Sequence, residues 1–170
     1  IAIRSELLQH DLILLAAVEG RLADLESRLV ALLPQTPYQI WTKLKGLSDI
    51  QVASLAAAIG DPAHYTHASQ VFRRSGLVSG RADSGVRQNQ GKGQPIVKTG
   101  DVYLRRALMN ALDTFLLHQP VLYRYYCHLK LTKPEWVARV ATARRALGIL
   151  WATLRDQHST TFIFKPEADM

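Results

Sequence analysis

A serine followed by glycine, Ser84-Gly85, stands inside a stretch from Arg73 to Arg106 in which glycines alternate with cations. Arg73, Arg74, Arg81, Arg87, Lys92, Lys98, Arg105 and Arg106 meet only two acids there, Asp83 and Asp101, so this stretch holds a net +6 of the chain's +7. Gly76, Gly80, Gly85, Gly91, Gly93 and Gly100 let the backbone approach a ligand closely. The composition is that of a loop built to hold a phosphate backbone. A hydroxyl in such a setting could attack a phosphodiester and become linked to it as phosphoserine, provided the arginines neutralise the phosphate and another group accepts the hydroxyl proton. On spacing alone, a turn serine is the stronger reading, because Ser-Gly dipeptides are common loop punctuation. Arg81, Arg87, Lys92, Lys98, Arg105 and Arg106 are the main candidates for phosphate contacts, with Arg73 and Arg74 at the entrance.

Other chemistries lack their residues. A two-metal nuclease needs converging carboxylates, whereas the acidic residues of this chain are dispersed, mostly beside basic neighbours. No serine, histidine and acid triad presents itself. His64 and His67 have ligand spacing but no carboxylate or third histidine beside them, so they read as surface or capping residues and no metal site is assigned. Cys127 is the single cysteine, which excludes an intrachain disulfide and a cysteine metal site and fits a reducing compartment; it reads as a small apolar packing residue. The longest apolar run, Leu12 to Val18, is too short to span a bilayer, and no signal-peptide pattern opens the chain. The expectation is a soluble cytoplasmic protein of bacterial type, associated with the nucleoid, with no membrane partner.

The elements that carry the loop read as helices throughout, with no strand signal. Leu8, Leu15, Leu22 and Leu29 recur every seven residues, and Val18, Leu25 and Leu32 follow in the second register, with Asp11 interrupting it. Glu19 and Glu26 then occupy e positions and Arg21 and Arg28 g positions, so that a parallel partner could pair Arg21 with Glu26. Self-association as a dimer or tetramer is favoured over packing as one arm of a hairpin within the chain, which the leucines alone leave open. Pro34 and Pro37 end this helix. Tyr38 to Leu44 and Asp49 to Ile59 read as two short helices around Gly46-Leu47-Ser48, a degenerate helix-hairpin-helix in which Ser48 replaces the usual second glycine and Lys45 the usual proline. Lys43 and Lys45 give that turn the charge for a phosphate contact, and a purely structural turn is equally consistent. Asp61-Pro62 caps a start, Ala68 to Ser75 is a helix stopped by Gly76, and Asp101 to Leu117 is a helix packed through Leu104, Leu108, Ala111, Leu112 and Phe115 with Asp101 in its first turn. Tyr123, Tyr125 and Tyr126 follow Pro120 and read as core residues with the hydroxyl at the rim rather than stacking groups. Thr132-Lys133-Pro134-Glu135 has capping-box spacing and opens a last helix to about Arg155, packed through Val137, Val140, Ala141, Leu147, Leu150 and Leu154.

Several of these segments carry a family resemblance. Ala57-Ala58-Ile59-Gly60-Asp61-Pro62, Gly76-Leu77-Val78, Ser84-Gly85 and Lys98-Thr99-Gly100-Asp101-Val102-Tyr103-Leu104-Arg105-Arg106 occur in that order, followed by Val137-Ala138, Ala143-Arg144 and Ile149-Leu150-Trp151. From about Leu44 to Arg155 the chain resembles the C-terminal transposase domain of the bridge-RNA-guided, or DEDD, insertion-sequence transposases, and the heptad helix corresponds to their coiled coil. The resemblance implies a recombinase in two parts. A RuvC-like domain holds magnesium on four acidic residues, and a second domain carries the serine that becomes attached to DNA, here Ser84. A noncoding guide RNA directs pairing to the DNA. The sequence departs from the family at Ser79, where proline is common, and at Asp83, whose charge would repel a phosphate unless a cation neutralises it.

The expected architecture is all-α: a coiled-coil and linker helix over residues 1–36, a compact transposase domain over 37–158 with the degenerate hairpin and the glycine-rich basic loop, and a tail over 159–170. Because the chain opens at Ile1 in an already helical pattern, we expect a fragment whose magnesium-binding domain lies upstream, with no cofactor in the fragment itself. The competing expectation is a non-enzymatic nucleic-acid-binding and dimerisation module, indifferent to Ser84. A third is an assembly domain whose basic loop only solvates its surface.

Overall fold

The computed structural model describes residues 2–78 and 100–156; Ser84, Arg81, Arg87, Lys92, Lys98 and the tail lie outside the described residues. Within them the regular structure is helical, with no strand, and no helix is long and apolar enough to cross a membrane. The α-helices are α1 (Ala2–Leu32), α2 (Asp49–Ile59), α3 (Ala68–Ser75), α4 (Val102–His118), α5 (Pro120–Lys130) and α6 (Glu135–Asp156). Short 3-10 segments occupy Leu33–Gln35, Pro37–Lys43 and Pro62–His64.

Helix α4 is the central element. It packs against α2, α3, α5 and α6, and Leu104, Leu108, Ala111, Leu112 and Phe115, all expected in the core, are buried. Helix α6 buries Leu147, Leu150 and Leu154 as expected, but its tightest face is Ala138, Ala143, Ala146 and Thr142 rather than Val137, Val140 and Ala141, which are half-buried. Small side chains let neighbouring backbones approach, and Thr142 satisfies its hydroxyl by donating to the Ala138 carbonyl at 2.7 Å.

Two local readings need correction. The short helix read over Tyr38 to Leu44 is a 3-10 segment over Pro37–Lys43, closed by the i to i+3 bond from Leu44 N to Trp41 O at 3.1 Å. What fixes it is tertiary: Trp41 is fully buried and its indole N–H donates to Leu150 O at 3.0 Å and Thr153 Oγ1 at 3.1 Å, tying the segment to α6. The start of α6 does not use the Thr132 and Glu135 pair as a box. Thr132 donates back to Leu129 O at 3.5 Å, and the Glu135 carboxylate accepts from Tyr126 Oη at 3.0 Å. Tyr126 is thus a buried tyrosine with its hydroxyl at the rim, as expected.

Among the described residues helix α1 packs against α2 and the first 3-10 segment, with Leu29 and Leu32 facing Ala53, Ala56 and Ala57 of α2 across a shared cleft. Leu8, Leu15, Leu22 and Leu29 are 63%, 53%, 54% and 42% exposed, so the heptad stripe is not the buried arm of an internal hairpin.

Tyr38 gives the fold a pH dependence. Its ring packs edge-on against Trp41 at 4.9 Å and its hydroxyl donates to Gly60 O at 2.7 Å. Burial, then the neighbouring Tyr65 and Asp61, raise its pKa well above the ordinary 10.0. Only the neutral phenol is favoured in the folded state, so this contribution is complete below pH 10 and is lost as pH rises towards the raised pKa. Urea midpoints should fall above that pH, and Tyr38→Phe, although less stable at neutral pH by about 1 kcal/mol for the lost hydrogen bond, should show a flatter alkaline profile. Equal slopes in the two proteins would remove Tyr38 as the cause.

Candidate nucleic-acid interface

The described residues that flank the stretch, at the end of α3 and the start of α4, lie against one another and form a neck. Gly76 stops α3 in the left-handed conformation at φ 67°, as its position in the sequence requires. The backbone N–H of Asp101 donates to Arg74 O at 2.6 Å, and Gly100 lies directly against the backbone of Gly76 and Arg74. Ser75 is fully buried; its hydroxyl donates to Phe72 O at 2.8 Å and accepts from Leu77 N at 3.3 Å.

Asp101 is the N-cap of α4 rather than a residue of its first turn. Its Oδ1 accepts from Tyr103 N at 2.8 Å and Leu104 N at 3.1 Å, and its Oδ2 pairs with Arg74 Nη2 at 3.3 Å. A carboxylate aimed at the helix N-terminus takes amides that would otherwise lack partners, which is why a residue just outside the helix serves better than one inside it.

The four described cations of the stretch divide by task. Arg74 also donates through Nε to Ala58 O at 3.1 Å, and Arg105 donates through Nη1 to Ser75 O at 3.4 Å, so both hold the neck closed. Arg73 and Arg106 are exposed and carry no ion pair among the described residues. Arg106 borders a cleft of about 500 Å³ whose wall is shared by the cap residue Asp101, Tyr103 and Asn110 of α4 and Ser54 of α2. Charge alone ranked the four alike; their non-local partners separate them.

At the hairpin turn, Lys43 and Lys45, both just before Gly46, are exposed. The glycine, at φ 99°, faces α4: a Cβ there would lie 3.0 Å from Thr114 O and 3.1 Å from Phe115 Cα. Two of the amides at the following helix start are already used in a capping box, Ser48 N donating to Gln51 Oε1 at 3.0 Å and Gln51 N to Ser48 Oγ at 3.4 Å. Asp49 adds a negative charge in the first turn. The turn is tied into the fold, and the Lys45 carbonyl accepts from Gln119 Nε2 at 2.8 Å.

His67 caps α3 in a backbone sense, its N–H and that of Thr66 donating to Gln70 Oε1 at 3.3 Å and 2.7 Å, while His64 is exposed. Among the described residues no three His, Cys, Asp or Glu side chains form a metal-holding group. Cys127 is half-buried against the core, and its proximity raises the pKa of Tyr123. Reading α6 for its apolar positions alone missed Arg144, whose guanidinium lies over the Phe72 ring at 5.1 Å beside the neck.

A family model described as Transposase IS116/IS110/IS902 family matches residues 38–127, which span the hairpin turn, the neck and the whole basic stretch. No curated protein matches the chain.

Proposed function

The chain belongs to the IS116/IS110/IS902 transposase family, and from that premise we propose that it is the serine-bearing part of a DNA recombinase. In this reading Ser84 attacks a DNA phosphodiester, and Arg73, Arg81, Arg87, Lys92, Lys98 and Arg106 hold the phosphates. Arg74 and Arg105 close the neck between the two ends of the stretch. The observation that carries this reading is that the family match runs through the one segment where the net charge of the chain is concentrated. DNA is the partner that a transposase requires, and we place a guide RNA among the partners of the same basic loop. Magnesium belongs, in this reading, to a separate RuvC-like domain with its own carboxylates.

Assembly through α1 completes the proposal. Its leucine stripe is exposed along the heptad, and Arg21 and Glu26 stand where a parallel second copy would pair them. Light scattering should report a dimer or larger assembly, and Leu15→Glu with Leu22→Glu should reduce it to monomers without loss of helical signal outside α1. An unchanged mass would exclude the stripe as the interface.

The test of function is a covalent link. The protein, with its magnesium-binding partner domain, is incubated with element-end DNA, denatured and digested, and the DNA-bearing peptide is sequenced by mass spectrometry. We expect a phosphoserine adduct on the peptide containing Ser84. Recombination without any adduct, or an adduct elsewhere, would overturn the assignment, and salt-dependent binding without recombination would leave a binding module.

A further inference from the structure

We propose that one face of α6 is a binding track for unpaired nucleic acid, with Trp136 as its stacking platform. The inference rests on the reading of the chain as a nucleic-acid-handling protein and adds a second contact surface to the basic loop. Of the three tryptophans, Trp41 is fully buried and Trp151 is 6% exposed, whereas Trp136 is 62% exposed. Helical spacing aligns Trp136, half-buried Val140 and exposed Arg144 as successive i, i+4 neighbours, a stripe about 12 Å long. Its far end is built in: Arg144 lies 5.1 Å over the ring of Phe72, and Phe72 precedes Arg73 in the last turn of α3, where the basic stretch departs. Lys133 is exposed in the turn that precedes the helix.

The acids near this helix face elsewhere and are neutralised. Glu135 is tied to Tyr126 at 3.0 Å and Lys130 at 3.8 Å on the α5 side, and Asp113 to Arg139 at 2.7 Å on the α4 side. What remains on the stripe is an exposed indole with a cation at its far end. A protein partner would call for more apolar surface around the tryptophan than Val140 provides, whereas a base-stacking ring followed by a cation suits a polyanion. An indole on the side of a helix stacks on a base whose face is free, which selects single-stranded over duplex nucleic acid.

Fluorescence tests this directly, because Trp136 is the exposed fluorophore. Oligothymidylate and oligouridylate should quench the emission on binding, and the stronger of the two identifies DNA or RNA as the natural ligand. Trp136→Ala should weaken single-strand binding about 5- to 100-fold and abolish the quenching, while Trp136→Phe retains most of the affinity. Arg144→Ala should lower the slope of log affinity against log salt by about one, a change that Trp136→Ala should not produce. Circular dichroism establishes that each variant is folded. Oligonucleotide binding with unchanged emission, equal affinity of Trp136→Ala and the parent protein, or loss of self-association in Trp136→Ala would each overturn the track. Duplex binding that persists with any of these results would leave the role of the basic loop standing; failure of the parent protein to bind any nucleic acid would defeat both.

Discussion

A protein carrying Ser84→Ala is expected to bind DNA within about threefold of the parent affinity and to form no covalent adduct, with strand exchange lowered at least about a thousandfold. The two effects separate because they draw on different interactions. Affinity for a phosphate backbone comes mainly from charge, and the charges near Ser84 belong to Arg81, Arg87 and Lys92, which the substitution leaves intact. The reaction requires the hydroxyl itself: its oxygen forms the bond to phosphorus, its proton passes to an acceptor, and the displaced oxygen leaves. No neighbouring side chain replaces that bond, since Gly85 has none and the Asp83 carboxylate would give a labile mixed anhydride. An adduct that survives in Ser84→Ala would move the nucleophile to another residue. Loss of binding together with the adduct would instead make Ser84 a structural residue of the loop.

How much of this was legible in the sequence depended on whether the cause was local. The buried face of α4 follows from apolar spacing, and the end of α3 follows from a glycine where the chain must turn left-handed; both were readable and both stand in the structure. The 3-10 segment from Pro37 was not readable as such, because what holds it is the Trp41 indole reaching α6, a contact between residues far apart in the chain. The spacing of Thr132 and Glu135 suggested a cap that Pro134 and the pull of Tyr126 on the carboxylate redirect. In the basic stretch, summed charge could not show that Arg74 and Arg105 are engaged with Asp101 and Ser75. Nor could it show that the glycine of the hairpin turn packs against α4. Trp136 and Arg144 were passed over for a related reason: a helix read only for its buried face leaves its outer face unread.

The neck carries the second large expected effect. Gly100→Ala should destabilise the protein by about 3 kcal/mol, at the upper end of what overpacking a tight site costs. The added Cβ would stand 2.5 Å from Arg74 O and 2.6 Å from Gly76 Cα, nearer than real Cβ contacts come, and both are backbone atoms. A flexible side chain could swing away; these atoms cannot do so cheaply. Arg74 O is bound to Asp101 N, and Gly76 is held in the left-handed conformation that ends α3. Relief therefore means separating the ends of α3 and α4, which gives up the Asp101 to Arg74 backbone bond and loosens the Arg74 and Asp101 ion pair, itself part-exposed and worth at most about 1 kcal/mol. Gly20 supplies the comparison, since it lies within α1 with no atom within 4 Å of an added Cβ. There alanine should stabilise the helix by about 0.5 to 1 kcal/mol. Urea midpoints should thus move in opposite directions for the two substitutions. If Gly100→Ala is neutral, the neck is not closed by backbone contact. If it is destabilised as expected, its nucleic-acid affinity, measured where it is still folded, should also fall, because Arg73 and Arg106 keep their charge but lose the fixed separation that a closed neck imposes on them.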